Sequence, residues 1–546
     1  MLKGHPKGLL VAFFANMGER FGFYTMMAIL VYFLQAKYGL SGDNAGYIYS
    51  VFYFLIYALA LVGGFIADRL RNYKGVIQIG IITMLVGYLL MAYPGSGLIV
   101  TIIGLFTIAF GNGLFKGNLQ AVVGQLYDDP KYSHLRDSAY SVFYMGINIG
   151  AFFAPSAATG IRDWWLKTKG LGYDADLPSL AHQLLNGTLK DTSKFQQLAN
   201  KVAGTTVMDL TAFAKHYIEV FSTGYNYAFG IAAIAMIVSL VIYVLFKSKL
   251  PDVKKHGEEG HQVVEMSKEE EKQRLIVLGL VFAVVIFFWM AFHQNGLTLT
   301  FFARDYTTKT VSAFSNMFFN IFSFLSVIAT IMGIVFMVGK EKTTRTRIIG
   351  AVLFIVGGYL SYYFYNSFSD NNIIAPEKFQ HFNPIFIVFL TPVVVAWFGW
   401  MNKKGKEPST PRKIGIGMVL AGAAFVIMMI GSFGLKSQHE LAGMPSPDRV
   451  SEYWLISTYF MLTIAELFLS PMGISFVSKV APPRLQGLMQ GGWLGATALG
   501  NQLLFVGSFM YSRLDIWMVW MMFTIFCLIA AGFIFSIMKK LEKVAV

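Results

Sequence analysis

Predominantly apolar runs of 18 or more residues recur from Gly8 to the last residues of the chain. Each is long enough to cross a bilayer as an α-helix. In hydrocarbon every backbone N–H and C=O must be bonded within the protein, and runs of this length satisfy that condition as helices. The spans expected are 8–36, 45–68, 75–93, 98–126, 138–160, 222–246, 274–297, 314–338, 347–366, 382–401, 413–434, 453–478, 485–511 and 516–539. Of the 546 residues, 55% are hydrophobic and 14% charged, against about 25% charged in a soluble domain. The chain therefore reads as an all-α polytopic membrane protein. Met1–Gly8 is a short basic head, and the apolar segment after it is too long for a signal-peptide core, so no cleaved leader is expected.

The short loops sort by charge. "RLRNYK" (69–74), "GKEKTTRTR" (339–347), "NKKGKEPSTPRK" (402–413) and "KKLEKVAV" (539–546) are basic, whereas "KYGLSGDN" (37–44) and "YPGSG" (93–97) are not. Lys and Arg collect in cytoplasmic loops, so both termini are expected inside. The net charge of +14 is thus accounted for by topology, and nucleic acid is not an expected partner. Residues 161–221 hold seven Lys/Arg and six Asp/Glu without a nucleophile–base or metal-spaced cluster, which suggests a small outer cap. Residues 247–273 are charged and read as a cytoplasmic linker between halves 1–246 and 274–546. The lone cysteine, Cys527, gives no disulfide and no thiolate metal site.

Charges inside the spans carry the functional signal, because an ion in hydrocarbon costs several kcal/mol and is kept for a reason. In "NMGERFGFY" (16–24), Asn16, Arg20, Phe23, Tyr24 and Met27 fall on one helical face with Glu19 at its flank. The pair Glu19–Arg20 fits either a structural ion pair between helices or a site lining a water-filled cavity. Lys116, with Asn112 and Gln120 a turn away, and Glu466, with Tyr459, Thr463 and Ser470, repeat the pattern. His293 is either a hydrogen-bonded spacer or a titrating group. Two cations in the first half and Glu466 with His293 in the second suit a bipolar solute such as an amino acid or peptide. Metal and cofactor sites are not expected, and no Ser/Lys, paired-Asp or HExxH-type constellation supports an enzyme.

Several long motifs in order resemble the proton-dependent oligopeptide transporters of the major facilitator superfamily. "NMGERFGFY" looks like that family's E-x-x-E-R-F-x-Y-Y. "GGFIADRL" (63–70), "FKGNLQAVVGQLYDD" (115–129), "RDSAYSVFYMGINIGAFFAP" (136–155), "NPIFIVFLTP" (383–392), "GKEPSTPRK" (405–413) and "AELFLSPMGISFVSKVAP" (465–482) resemble its later signatures. The resemblance implies the major facilitator fold: two six-helix bundles, plus two extra helices, here the inserted pair at about 314–366. It further implies a proton-coupled symporter that imports di- and tripeptides by alternating access across a bacterial inner membrane. Arg20, Tyr24, Tyr57, Lys116 and Asn148 would then meet the peptide carboxylate. Asn383, Glu466 and Trp493 would meet its amino end, with Gln294 nearby. Glu19, Glu466 and His293 are the implied proton-coupling groups, and a monomer is the default.

The sequence departs from that pattern. Asn16 replaces the first Glu, Phe23 the first Tyr, Met27 an Arg common in relatives and Gly117 a Pro. His293-Gln294 stands where relatives place an acid. A carboxylate is thus lost from the first helix and a hydroxyl and a cation from its binding face. The same fold carrying another small zwitterion or anion, such as an amino-acid derivative, is therefore the competing expectation.

Overall fold

The computed structural model describes residues 4–251, 267–338, 343–482 and 485–545. The first part of the chain contributes α1 (Gly8–Tyr38), α2 (Gly42–Leu70), α3 (Tyr73–Ala92), α4 (Leu98–Gln125), α5 (Arg136–Thr168), α6 (Leu177–Leu185), α7 (Thr192–Ala203) and α8 (Leu210–Phe246). The second contributes α9 (Lys268–Phe292), α10 (Thr298–Asp305), α11 (Ala313–Phe319), α12 (Ile321–Val338), α13 (Thr344–Ser367), α14 (Phe382–Lys403) and α15 (Thr410–Gly431). It ends with α16 (Gln438–Leu441), α17 (Glu452–Val480), α18 (Gln486–Gln502), α19 (Phe505–Tyr511), α20 (Ile516–Ser536) and α21 (Met538–Ala545).

Local chemistry sets the helix ends. Ser41 starts α2 by accepting the Asn44 N–H at 3.2 Å, and Asn72 starts α3 by accepting that of Gly75 at 2.9 Å. These side chains satisfy amide donors that the first turn leaves unpaired. Gly39, with φ 64°, ends α1 in the left-handed conformation that glycine adopts without strain.

Twelve helices among the described residues are long and apolar enough to cross a membrane. The other two expected spans correspond to α1 and to the broken α18–α19. Glu19 and Arg20 interrupt the apolar run of α1, which packs against α5 and α8. α18 is cut at Leu503–Leu504 before α19 resumes. Helices α1–α5 and α8 pack on one another, as do α9, α14, α15, α17, α18 and α20. α2 and α4 cross where a Cβ on Gly63 would strike the Gly113 carbonyl and one on Gly113 the Leu59 carbonyl, so neither position has room for a side chain.

Three boundaries differ from expectation. α5 runs on to Thr168 and α8 starts at Leu210, so the cap built from α6 and α7 narrows to 169–209; amphipathic turns too polar to read as spans extend both helices. The expected linker 247–273 loses Lys268 onward to α9, whose Ser267 cap and acidic first turn begin a helix before the apolar run. Residues 252–266 of that linker and 339–342 of the basic loop lie outside the described residues. Last, α9 does not continue as one rod: a 3₁₀ turn, His293–Gly296, separates it from α10.

The inserted helices α12 and α13 form an antiparallel hairpin pressed together through Gly333, Gly350 and Gly357. At its foot β1 (Thr310–Val311) pairs antiparallel with β2 (Asn372–Ile373), in the register Thr310 to Ile373. This clasp ties the chain entering the hairpin to the chain leaving it.

Candidate functional site

Glu19 and Arg20 form a bidentate pair: Arg20 Nε donates to Glu19 Oε2 at 2.5 Å and Nη2 to Oε1 at 2.7 Å. Their side chains are 1% and 6% exposed, so water does little to screen the pair. Asn112 of α4 adds a third donor, Nδ2 to Glu19 Oε1 at 2.6 Å. The Arg20 guanidinium also lies over the Phe23 ring, 4.7 Å from its centroid, a favourable cation–π placement.

Lys116, one helical turn beyond Asn112, has a different environment. Its ammonium sits 4.3 Å from the centroid of Tyr57 on α2, and no carboxylate among the described residues forms an ion pair with it. The side chain is half-buried. Across the molecule, Glu466 of α17 is also half-buried and among the described residues accepts the Asn383 amide of α14 alone, at 3.0 Å. Asn383 is shared with Thr463 Oγ1 at 3.1 Å. Tyr24 and Tyr57 lie in electrostatic range of both Arg20 and Glu466, so the two halves face one polar space.

His293 stands at the break between α9 and α10, 6% exposed. Its ring stacks on Trp289, centroids 4.8 Å apart, and lies tilted against Tyr53, at 4.5 Å. Nδ1 is 2.5 Å from Asn501 Oδ1 of α18, and amide orientation and ring tautomer together fix which atom donates. The opposite half enters this space through Tyr53, whose neighbours are Phe23, Tyr49 and Tyr57.

Not every candidate from the sequence reaches the space. Gln294 is 0% exposed and placed in a helix seam: its amide donates to the Met290 and Leu504 carbonyls at 3.1 and 3.2 Å, and its oxygen accepts Thr298 Oγ1 at 2.5 Å. The break after Gly296 turns that side chain toward α19 instead of the first half. Asn148 on α5 is partly open, but its amide donates to the Tyr144 carbonyl one turn earlier at 3.1 Å. Trp493 is 4% exposed and packs its indole onto Gly473 of α17, where even a Cβ would collide with the ring. It shapes the wall on which Glu466 stands.

A second polar cluster, which loop assignment concealed, joins the halves at the end bearing α6 and α7. Arg162 of α5 pairs with Glu377, which precedes α14, and both side chains are 0% exposed. Tyr225 of α8 donates to the same Glu377 oxygen at 2.7 Å. Nearby bonds span the same divide. Arg304 reaches Gln35 at 2.7 Å, Tyr32 reaches the Thr300 carbonyl at 2.6 Å and Arg513 reaches Asp43 at 2.6 Å. From the cap, Asp176 holds Lys309 at 2.5 Å and Arg449 at 3.4 Å. Gln183 donates to the Gly443 carbonyl at 2.8 Å. A cleft of about 330 Å³ lies among these groups, bordered by Tyr32, Tyr173, Asp176, Tyr225, Arg304 and Pro376. Among the described residues no group of three His, Cys, Asp or Glu side chains could hold a metal ion.

Comparison with known proteins agrees with this architecture. The chain is 27% identical over 525 residues to the uncharacterized transporter YclF of Bacillus subtilis, covering 92% of this chain and 87% of that protein. It is 26% identical to dipeptide and tripeptide permease A of Citrobacter koseri, over 91% of this chain and 82% of that one. Among solved structures, a POT family transporter in complex with 5-aminolevulinic acid superposes with TM-score 0.69 at 20% identity, covering 99% and 98% of the two chains. The peptide transporter POT in complex with sulfate gives 0.68 at 20% identity, covering 100% and 96%. These likenesses show the fold, two bundles of the transporter type in an integral membrane protein. The POT family pattern (PTR2) itself matches residues 74–267 and 364–516, and on that match the chain belongs to the POT family.

Proposed function

We propose that this protein imports small peptides, chiefly di- and tripeptides, by proton-coupled alternating access, working as a monomer in a bacterial inner membrane with both termini cytoplasmic. The observation that carries the reading is the pair Lys116 and Glu466. Each is half-buried, neither forms an ion pair among the described residues, and they stand on opposite halves. A buried charge without a counter-charge is costly, and a zwitterion supplies both missing partners at once: its carboxylate to Lys116 and its ammonium to Glu466. Relatives named as dipeptide and tripeptide permeases support peptides as that zwitterion.

In this mechanism Glu19 is the coupling carboxylate. While ionised it occupies the Arg20 fork. A proton on Glu19 removes the charge that holds Arg20, which frees the guanidinium to join Lys116 at the peptide carboxylate. His293 has a ring nitrogen on Asn501 and packs against Trp289 and Tyr53, so its place is the spacer between halves more than the proton carrier. Tyr24 and Tyr57 supply hydroxyls between the two poles, with Asn383 orienting Glu466. The end bearing α6 and α7 is the outer end, and its many cross-links correspond to a form closed on that side. The membrane potential contributes about 2.3 kcal/mol per charge per 100 mV toward uptake.

The decisive experiment is uptake of labelled dialanine into proteoliposomes with and without an inward proton gradient. Accumulation that needs the gradient and is competed by tripeptides supports the proposal, and absence of uptake by folded protein overturns it. A second reading, a small zwitterion or anion such as an amino-acid derivative, is favoured by Phe23 and Met27, both buried and apolar on the Arg20 face. A structural neighbour solved with 5-aminolevulinic acid supports that class. Preferential competition by such a compound over dialanine would select it.

A further inference from the structure

Two buried N–H groups beside His293 take no part in the mechanism above. Trp289 Nε1 on α9 and Asn501 Nδ2 on α18 are enclosed with no hydrogen-bond partner among the described residues. The two residues are 8% and 0% exposed. A buried donor left unpaired keeps the full cost of its lost hydration, so each calls for an acceptor. Packing brings both to one ring. Gly500 lets α18 meet α9, since a Cβ there would stand 2.6 Å from the Ile286 carbonyl and 2.9 Å from Trp289 Cβ. Asn501, the next residue, places Oδ1 2.5 Å from His293 Nδ1. The Trp289 indole stacks on the same imidazole, centroids 4.8 Å apart.

Turning the Asn501 amide over does not use up this supply of donors. Nδ2 would then serve His293 Nδ1, and the neutral ring would carry its own proton on Nε2. In either arrangement the His293–Asn501 pair keeps an N–H to give. The first half faces the corner with a positive charge. Tyr53 of α2 lies against the imidazole at 4.5 Å, and Lys116 of α4 is within electrostatic range of it. The Lys116 ammonium rests over Tyr57 at 4.3 Å and has no carboxylate in ion-pair reach among the described residues. A cation backed by two unpaired N–H groups is an arrangement for an anion, whose hydrogen bonds are the strong, charge-assisted kind. The opposite pole differs, since the charge there is the Glu466 carboxylate.

We propose that the corner formed by Lys116, His293, Trp289 and Asn501 is a subsite for an acidic side chain, which makes peptides ending in Asp or Glu the preferred substrates. The proposal rests on the peptide reading above and narrows it. A single peptide carboxylate at Lys116 and Arg20 leaves the indole and the amide unused. An acidic side chain on the C-terminal residue branches from the same Cα as that carboxylate, so it stays within a few bonds of Lys116. Trp289 Nε1 and the His293–Asn501 pair donate to it, and Lys116 offsets both negative charges. An acidic residue at the amino end gains nothing, because it meets the like charge of Glu466.

Competition against labelled dialanine in proteoliposomes at about pH 7, where Asp and Glu side chains are ionised, is the test. With the parent protein, Ala-Asp and Ala-Glu should compete at least about tenfold more tightly than Ala-Asn and Ala-Gln, the worth of one hydrogen bond to a charged group. Asp-Ala should not share the gain. Asn501→Asp puts an acceptor where the free donor stands and should reverse the order, so that Ala-Asn competes better than Ala-Asp. Trp289→Phe removes one N–H, keeps a ring on His293 and should cut the Ala-Asp advantage at least about threefold. It carries the test if Asn501→Asp does not fold. Ala-Asp no tighter than Ala-Asn in the parent, or an advantage that a folded variant keeps in full, overturns the subsite and leaves peptide transport standing. No uptake of any peptide by the folded parent overturns the peptide reading itself.

Discussion

Asn112 of α4 donates to Glu19 Oε1 at 2.6 Å, the same oxygen that Arg20 Nη2 holds at 2.7 Å. Three donors thus converge on one carboxylate from two helices, and a proton on Glu19 weakens all three by removing the charge that they share. This gives the single remaining carboxylate of the first helix a partner on the helix that carries Lys116.

Replacing Glu19 by Gln keeps the size and removes the charge. Accumulation of dialanine against a gradient should fall at least tenfold, while exchange of labelled for unlabelled peptide across equal pH persists. Gradient-driven uptake and exchange, measured side by side in proteoliposomes, check this; undiminished accumulation would exclude Glu19 as the coupling group.

Lys116→Ala and Glu466→Gln should each weaken peptide binding by about 1.5–3 kcal/mol, the worth of a hydrogen bond to a charged group. That corresponds to roughly ten- to more than a hundredfold in the half-saturating concentration. The two losses should also differ in kind. C-terminal amidation of the peptide should cost the parent and the Glu466 variant more than the Lys116 variant, in which only Arg20 still meets the carboxylate, and N-acetylation should cost the parent and the Lys116 variant more than the Glu466 variant. A competition panel against labelled dialanine reads both.

Gly473 faces the Trp493 indole with no room for a Cβ. Gly473→Val should displace the ring and lower stability by about 1–3 kcal/mol through overpacking. A drop in the melting temperature in detergent, with Trp493→Ala in the same background recovering part of it, is the expected result. An unchanged melting temperature would mean that the two helices pack less closely than described.

On the loop between α14 and α15, Glu407 accepts Lys413 of α15 and, as a second donor, the Asn402 amide of α14 at 2.6 Å. The Lys413 bond holds the Glu407 carboxyl below its usual range against the opposing effect of desolvation, with a lesser contribution from Asn402. A depressed folded value means that the stabilisation is present above the unfolded value, near pH 4.3, and lost as pH falls through the folded one. Glu407→Gln should therefore melt below the parent at pH 7, and the two curves should converge below about pH 4. A gap that persists there would assign the effect to packing.

Much of this molecule is legible one segment at a time. Every expected span coincides with a helix or a broken helix, because lipid demands long apolar runs with their backbone bonds satisfied internally. The face that groups Asn16, Arg20, Phe23 and Tyr24 follows from a 3.6-residue period, and Lys116 and Glu466 stood out as charges in apolar runs. The His293–Gly296 break was not legible, since Asn295-Gly296 sits in a stretch that reads as one continuous span. Its consequence, the turning of Gln294 to Leu504, was hidden with it.

The Arg162–Glu377 pair marks the limit of such reading. Arg162 belonged to a segment read as an outer cap, and Glu377 to the stretch between the expected spans 347–366 and 382–401, so each looked like an ordinary solvated charge. The two are 215 residues apart, and only the packing of α5, α8 and the turn before α14 encloses them. The sequence by itself determined the spans, the family and the charged faces, because hydropathy and helical period are sums over neighbouring residues. The tertiary structure alone decided which charges lose water and which find partners, because desolvation and pairing depend on side chains brought together from distant parts of the chain.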